Sequence, residues 1–306
     1  SMIIPVHNEE ANLSWHHERI TDTLDKLDCR YEIIYVNDGS NDKSLEILKQ
    51  LSKNASRARY LSFSRNFGKE AALFAGLEAA NGHLVTVMDA DLQDPPEMLM
   101  EMKQMLDDDS DLDCVGTRRV SRDGEPLIRS FFATLFYKLM NKISQVEVVD
   151  GACDLRLMRR HMVDAILSVS EYNRFSKGLF SWVGFNTEYL PYKNVERVAG
   201  ETSWSLWKLL SYSIEGIINF SDTPLNIASY TGFFTFLLSL VLMVFVVIKT
   251  LVFGDPTIGW PSTICIILFL GGLQLMTIGI LGKYLAKIFL ETKKRPIYIV
   301  KERSSN

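Results

Sequence analysis

The sequence predicts an α/β domain followed by two membrane-spanning helices, and the distribution of apolar and charged residues carries this prediction. Short apolar runs alternate with amphipathic stretches over the first two thirds of the 306 residues. This alternation is typical of a mostly parallel sheet with helices on both faces. Charged residues are dense and mixed before position 220, whereas the ranges 225–248 and 260–282 contain none. Each uncharged run is long enough to cross a hydrocarbon core of about 30 Å.

Four strands and two helices can be placed from the residue pattern alone. The predicted strands are 3–6, 32–36, 59–63 and 84–88, and the predicted helices are 43–52 and 70–80. Polar clusters follow the second and the fourth strand, beginning at Asn37 and Asp89. Since ligands bind beyond the carboxyl ends of parallel strands, we expect a binding site between these two clusters.

The net charge and the cysteine spacing argue against several classes of function. The net charge of −4 and the lack of a basic stripe in the sequence argue against a nucleic-acid partner. The four cysteines are scattered without paired spacing. This indicates reduced thiols in a cytosolic compartment, and neither a zinc site nor a disulfide framework.

Basic residues near the uncharged runs predict the membrane topology. Five basic residues in the range 283–295 follow the second run, whereas the connector 254–259 is short and nearly uncharged. The positive-inside rule therefore places both ends of the hairpin in the cytoplasm and the connector outside. Two core helices of a soluble protein are the alternative, but the runs follow each other with only Lys249 and Asp255 as charged residues between them.

The sharpest chemical feature is Asp89-Ala90-Asp91 at the end of the fourth predicted strand, followed by Gln93. Two carboxylates two positions apart can face one ligand, and their hard oxygen atoms suit Mg²⁺ or Mn²⁺. Such a cation also binds phosphate oxygens and would assist the departure of a diphosphate, whose charge grows as the bond to it breaks. The pair alone is common in solvated turns, so its position after an apolar strand is what favours a metal site.

Four motifs occur in a fixed order along the chain, at 5–10, 36–40, 64–69 and 89–95. Together they resemble glycosyltransferase family 2, and specifically the branch of bactoprenol-phosphate glucosyltransferases and dolichol-phosphate mannose synthases. The stretches 173–175 and 182–185 and the two uncharged runs extend the resemblance over nearly the whole chain.

The resemblance implies the domain organisation. A catalytic domain of the nucleotide-sugar transferase type (GT-A, Rossmann-like) would occupy 1–204, and a two-helix transmembrane hairpin would occupy 225–290. The intervening 205–224 would be an amphipathic helix in the membrane interface, for which a helix packed on the soluble domain is the alternative. Residues 291–306 would form a cytoplasmic tail.

The resemblance also implies roles for individual residues. Those expected to bind the nucleotide-sugar donor are Pro5, Glu9, Asn37, Asp38, Arg65, Lys69, Asp89, Arg118 and Arg129. Asp89, Asp91 and Gln93 are expected to hold the metal ion, and Asp154 is the candidate catalytic base. Many relatives carry an aspartate where this chain has Asn37, and a glycine where it has Cys153.

We therefore expect an enzyme that transfers a single sugar, glucose or N-acetylglucosamine, from a UDP-sugar to undecaprenyl phosphate with inversion of configuration. It would act at the cytoplasmic face of a bacterial plasma membrane, embedded in the lipid bilayer, alone or as a homo-oligomer. Its product would serve the modification of cell-envelope glycans such as lipopolysaccharide or teichoic acid. A processive polysaccharide synthase and an inactive membrane scaffold are the alternatives. Two spans are few for a translocation channel, and the intact Asp89, Asp91 and Asp154 argue against an inactive protein.

Overall fold

One mixed β-sheet with helices on both faces organises the chain. The computed structural model describes residues 1–91, 94–120, 141–142, 149–169, 171–192, 217–253 and 259–304. Within these ranges the strands are β1 (Met2–Val6), β2 (Ile33–Asn37), β3 (Ala58–Phe63), β4 (Leu84–Val87), β5 (Cys114–Arg119), β6 (Ala152–Arg159), β7 (Thr187–Tyr192) and β8 (Val300–Arg303). The helices are α1 (Leu13–Asp25), α2 (Ser44–Asn54), α3 (Lys69–Ala79), α4 (Met98–Asp108), α5 (Arg160–Ser168), α6 (Ser176–Trp182), α7 (Thr223–Phe253) and α8 (Trp260–Thr292).

The sheet has the strand order β7-β5-β6-β4-β1-β2-β3-β8. Strands β4, β1, β2 and β3 run parallel, which confirms the four strands and the parallel arrangement predicted from the sequence. Beyond them, β6 lies antiparallel between β4 and β5, and β8 lies antiparallel to β3 at the opposite edge. The prediction of a mostly parallel sheet therefore holds for the centre of the sheet, whereas its margins are mixed.

Two layers of apolar side chains cover the two faces of the sheet. On one face, α1, α2 and α4 contribute buried residues such as Ile20, Leu48 and Leu99. On the other face, α3 and α5 pack against the central strands, and α3 is buried along most of its length. Gly76 lets α3 approach β1, because a Cβ at this position would lie 2.2 Å from Cγ2 of Ile3. This close packing holds the first turn of α3 near the carboxyl edge of the sheet.

The end of the chain returns to the sheet after the second long helix. Strand β8 pairs with the edge strand β3. Just before it, the ring of Tyr298 stacks on Phe63 with centroids 4.9 Å apart, and the Tyr298 hydroxyl donates to Glu78 at 2.6 Å. The segment 291–306, predicted as a cytoplasmic tail, thus includes a strand that extends the sheet, which the sequence pattern does not indicate.

Helices α7 and α8 are long and apolar, with 31 and 33 residues, and they contain the two uncharged runs. Their windows Thr223–Leu242 and Phe269–Thr292, of mean hydropathy 1.6 and 1.4, are long and apolar enough to cross a membrane, and neither is buried. Two core helices of a soluble protein would bury such faces, so the exposed apolar side chains fit a membrane association. Residues 205–216 of the predicted interfacial helix and the connector residues 254–258 lie outside the described ranges.

Candidate active site

A cleft of about 300 Å³ opens at the carboxyl ends of β1, β2 and β4. It is lined by the end of β1, the loops after β1, β2, β3 and β4, and the start of α3. Six of the residues predicted to bind the donor or the metal belong to this lining: Pro5, Glu9, Asp38, Lys69, Asp89 and Asp91. The polar clusters that follow β2 and β4 thus face one cleft.

Asp38 holds the loop that leads into α3. Its buried carboxylate accepts hydrogen bonds from the backbone N–H groups of Phe67 and Gly68, at 2.6 and 2.9 Å. The adjacent Gly39 has a φ of +62°, and a Cβ there would lie 2.4 Å from the carbonyl carbon of Arg65. Glycine adopts this conformation without strain and leaves room for the loop. The turn after β2 therefore places the start of α3 at the cleft.

Asn37 lies beneath the cleft and is not part of the lining. Its side chain is buried, Nδ2 donates to the Ser62 hydroxyl at 2.9 Å, and Oδ1 accepts from the Ser40 backbone N–H at 3.2 Å. An amide both donates and accepts, which an ionised carboxylate at this position does not. Arg65 lies at the exposed surface, with its guanidinium 4.0 Å from the ring centroid of Phe67.

Lys69 forms ion pairs with two carboxylates at the cleft. Its ammonium Nζ lies 2.6 Å from Oδ1 and 2.8 Å from Oδ2 of Asp89, and it forms a second, short ion pair with Asp154. Asp154 lies on β6, 85 residues farther along the chain than Lys69. One cation thus bridges two carboxylates that would otherwise repel each other.

Burial and the shared lysine set the protonation states of this cluster. Burial alone would raise the pKa of Asp154, but the charges of Lys69, Lys177 and Arg156 outweigh it and hold this pKa well below its usual range. Burial raises the pKa of Asp89 to about 6, since Lys69 offsets only part of the desolvation and Asp154 adds repulsion. Burial lowers the pKa of the Lys69 ammonium, but the two carboxylates raise it by more. At neutral pH Asp154 is therefore a carboxylate and Lys69 an ammonium.

The buried His16 holds the backbone at Asp89. Burial lowers the pKa of His16 to about 4, so its imidazole is neutral at physiological pH. Its Nε2 lies 3.1 Å from the carbonyl oxygen of Asp89 and therefore carries the proton that it donates. This role of His16 was not predicted, because a single histidine on an amphipathic helix gives no signal of such a contact.

Asp89 and Asp91 are the two predicted metal ligands that line the cleft. The third, Gln93, lies outside the described residues. Among the residues that the structure describes, no group of three or more histidine, cysteine, aspartate or glutamate side chains is arranged to bind a metal. Mg²⁺ is typically bound by one or two carboxylates together with water and substrate phosphates. The residues thus fit a cation that binds together with a diphosphate.

Asp154 lies in the extended strand β6, two positions before Arg156, so the two side chains share a face of the sheet. The Arg156 guanidinium is buried 3.6 Å from the ring centroid of Phe180 and donates to the Cys153 carbonyl at 3.2 Å. The ion pair that the structure shows for Asp154 is with Lys69. Asp154 thus lies beside the lysine that lines the cleft.

Arg118 and Arg129 do not belong to the described lining of the cleft, whereas two polar residues that were not predicted individually do. Arg118 lies at the exposed end of β5, where its Nε donates to the Asp150 carbonyl at 3.0 Å, and it is not part of the lining. Arg129 lies outside the described residues. Conversely, His7 and Asn66 line the cleft. Both belong to the motifs at 5–10 and 64–69, and this membership is the signal that could have identified them.

Comparisons with known proteins identify the family. A sequence profile described as Glycosyl transferase family 2 matches residues 1–167. CsbB of Bacillus subtilis (strain 168) is 43% identical over 302 residues, 99% of this chain and 91% of that protein. The bactoprenol glucosyl transferase of Shigella phage SfX is 40% identical over 303 residues, 99% of both chains. Glucosyl-3-phosphoglycerate synthase from Mycobacterium tuberculosis, solved with Mn²⁺, UDP-glucose and phosphoglyceric acid, is 20% identical with a TM-score of 0.43 over 71% of this chain and 76% of that chain.

A mixed Rossmann-like sheet of the GT-A type, with an acidic pair at the end of a central strand, defines the class of the protein as a glycosyltransferase. The chain belongs to glycosyltransferase family 2, because the family profile covers more than half of it and relatives match nearly its full length. The resemblance inferred from the four motifs is confirmed, and the protein is a transferase enzyme.

The substitution Asp38→Asn should weaken the hydrogen bonds that hold the loop preceding Lys69. The amide group of an asparagine would face one of the two backbone donors with its own N–H, so one N–H at Phe67 or Gly68 would lose its acceptor. We expect the free energy of unfolding to fall by about 1–3 kcal/mol, as measured by denaturant titration in detergent. Asp107→Asn, on the exposed face of α4, is the control and should change it by less than about 0.5 kcal/mol. Equal effects of the two substitutions would contradict the role assigned to Asp38.

Proposed function

We propose that the protein transfers a single sugar from a UDP-sugar to a polyprenyl phosphate, with undecaprenyl phosphate as the acceptor. The observation that carries the proposal is the cluster of Lys69, Asp89 and Asp154 at a cleft of a domain that continues into two exposed apolar helices. Bactoprenol glucosyl transferases of Shigella phages SfX and SfII are 40% identical over nearly the whole chain, including both helices. This similarity supports a lipid phosphate acceptor, and it favours glucose over N-acetylglucosamine as the sugar.

The donor would bind with its nucleoside near Pro5 and Glu9 and its diphosphate toward Asp89 and Asp91. Mg²⁺ or Mn²⁺ held by these two aspartates, and by Gln93 of the same motif, would neutralise the charge that develops on the leaving diphosphate. Lys69 lies in the same lining and adds a fixed positive charge. Asn37 would not contact the nucleoside, because its side chain is buried; it would support the turn beneath the nucleoside.

The acceptor phosphate is the nucleophile in the proposed reaction. One of its oxygens attacks the anomeric carbon, the bond from that carbon to the UDP oxygen breaks, and the bonding electrons leave with UDP. A single displacement of this kind inverts the configuration. A phosphate monoester has a second pKa near 6, so most of the acceptor is a dianion at neutral pH and carries no proton to remove.

Asp154 would contact the acceptor and not the donor. Lys69, Lys177 and Arg156 act on this carboxylate with three positive charges, which suits a site that also receives a phosphate dianion. The pKa of Asp154 is held low by these charges, so Asp154 is a weak base. Its proposed role is to orient the phosphate with Lys69 and to accept a proton from the monoanionic fraction.

Helices α7 and α8 are proposed to span the membrane as a hairpin, with the catalytic domain on the cytoplasmic side. The domain precedes α7, and β8 returns to the same sheet after α8. Both ends of the hairpin therefore lie on the side of the catalytic domain. The five basic residues in 283–295 favour the cytoplasmic side for this end.

An assay with a panel of donors tests the proposed function. Purified protein is offered UDP-glucose, UDP-N-acetylglucosamine or a guanosine diphosphate sugar with undecaprenyl phosphate, and the lipid products are weighed by mass spectrometry. We expect one sugar per lipid phosphate from a UDP-sugar, and loss of turnover in excess chelator. Addition of several sugars would indicate a processive synthase, and full turnover in chelator would contradict the metal assignment. The absence of product with every donor would contradict the proposal itself.

The substitution Asp154→Asn keeps the shape of the side chain and removes its charge. We expect kcat to fall by about 10²–10⁴-fold at pH 6, where the acceptor carries a proton, and by less at pH 8, where the acceptor is a dianion. Donor affinity in calorimetry should change little, because Asp154 is outside the lining of the donor cleft. Asp164→Asn, on the exposed face of α5, is the matched control. Near-normal turnover of Asp154→Asn at pH 6, where the protonated acceptor is common, would exclude Asp154 as the base, and loss of donor binding would favour a structural role.

A further inference from the structure

The end of α8 is hydrogen-bonded to a loop of the catalytic domain. Glu291, in the last turn of α8, accepts from the backbone N–H groups of Tyr172 and Asn173 at 3.0 and 3.1 Å. It also accepts from Nδ2 of Asn173 at 3.2 Å, while Lys287, one turn earlier, donates to Oδ1 of the same asparagine at 3.2 Å. Asn173, part of the 173–175 motif, is therefore held at both of its side-chain polar atoms by one helix.

Glu291 does not stabilise helix α8 itself. A carboxylate near the C-terminus of a helix faces the partial negative charge of the helix dipole, which disfavours it there. Hydrogen bonds from backbone N–H groups to an ionised carboxylate are strong. The contribution of Glu291 therefore lies in its contacts with the loop at Tyr172 and Asn173.

The same loop continues to the active site through Ser176. The backbone N–H of this buried residue donates to Oε2 of Glu70 at 3.0 Å, and its hydroxyl makes a second, short hydrogen bond to the same oxygen. Glu70 lies in the first turn of α3, directly after Lys69. A continuous path of contacts therefore runs from α8 to the lysine that bridges Asp89 and Asp154.

Packing and hydrogen bonds together determine the position of this loop. A cavity of about 340 Å³ lies between the loop, the start of α3 and the end of α8, and its lining includes Glu70, Asn173 and Lys287. Side chains that border a void lack contact partners on that side. The hydrogen bonds of Glu291 and Ser176 hold the two ends of the loop, while the buried side chains of Arg174 and Phe175 hold its middle.

We propose that Glu291 is a positioning residue that couples helix α8 to the geometry of the Lys69 cluster. Glu291 fixes the loop 172–176, the loop fixes Glu70 and the first turn of α3, and this turn fixes Lys69. The helix that anchors the enzyme in the lipid thereby also sets the arrangement of the reacting groups. The inference rests on the proposed function for the identity of the reaction, sugar transfer to a lipid phosphate.

A double-mutant cycle on the full-length protein in lipid vesicles tests this coupling. The variants are Glu291→Gln, Ser176→Ala and the two combined, with Thr292→Ala as the control, because the Thr292 hydroxyl donates within α8 to the Phe289 carbonyl. We expect each single substitution in the path to lower kcat about 10- to 100-fold. The double variant should be no slower than the slower single variant, because both substitutions break one path. Losses that multiply in the double variant, or a kcat of Glu291→Gln equal to that of Thr292→Ala, would overturn the proposal.

Amide hydrogen exchange gives a second readout that does not depend on the reaction. In Glu291→Gln, exchange should become faster in the segment 66–72 as well as in the loop 172–176, and Thr292→Ala should change neither segment. Faster exchange confined to the loop would overturn the coupling. A wild-type protein that transfers no sugar would contradict the proposed function, and the exchange comparison would still decide whether Glu291 positions Lys69.

Discussion

The candidate active site depends on the ammonium of Lys69 between the carboxylates of Asp89 and Asp154. Two partly buried carboxylates this close together repel each other, and the cation between them offsets this repulsion. Lys69 is held by the first turn of α3, whose position is fixed by the Asp38 carboxylate on the preceding loop and by the close approach of Gly76 to β1. Direct contacts therefore link the central sheet, the loop after β3 and the cluster of Lys69, Asp89 and Asp154.

The sequence predicts the parts of this arrangement that depend on local pattern. The four central strands alternate with amphipathic helices, and the polar residues at Asp38 and Asp89 follow strands, so their meeting at one edge of the sheet can be predicted. The pairing of Lys69 with Asp154 cannot, because it depends on β6 entering the sheet antiparallel beside β4. Likewise β8 consists of Val-Lys-Glu-Arg, and such a charged edge strand carries no apolar alternation.

The contacts between the α/β domain and the long helices likewise cannot be predicted from local sequence pattern. The motif at 173–175 is visible in the sequence, but its partner Glu291 lies 118 residues away and sits in a run of charged residues that otherwise indicates only membrane topology. Together with β8, these contacts attach α8 to the catalytic domain on both sides of its C-terminal end. A domain held in this way has a defined orientation relative to α8, which the proposed lipid phosphate acceptor, with its phosphate at headgroup depth, would require.

The central claim is that Lys69 neutralises the carboxylates at which the donor's cation would bind. The most direct test is to measure how tightly the cleft binds Mn²⁺ in the absence of nucleotide. The measurement compares the wild-type protein with Lys69→Met, and uses Lys103→Met on the exposed face of α4 as the control. Removal of the ammonium leaves the negative charge of Asp89 and Asp154 uncompensated, so Lys69→Met should bind Mn²⁺ at least about tenfold more tightly. An affinity of Lys69→Met that is equal to or weaker than that of the wild-type protein would contradict this account.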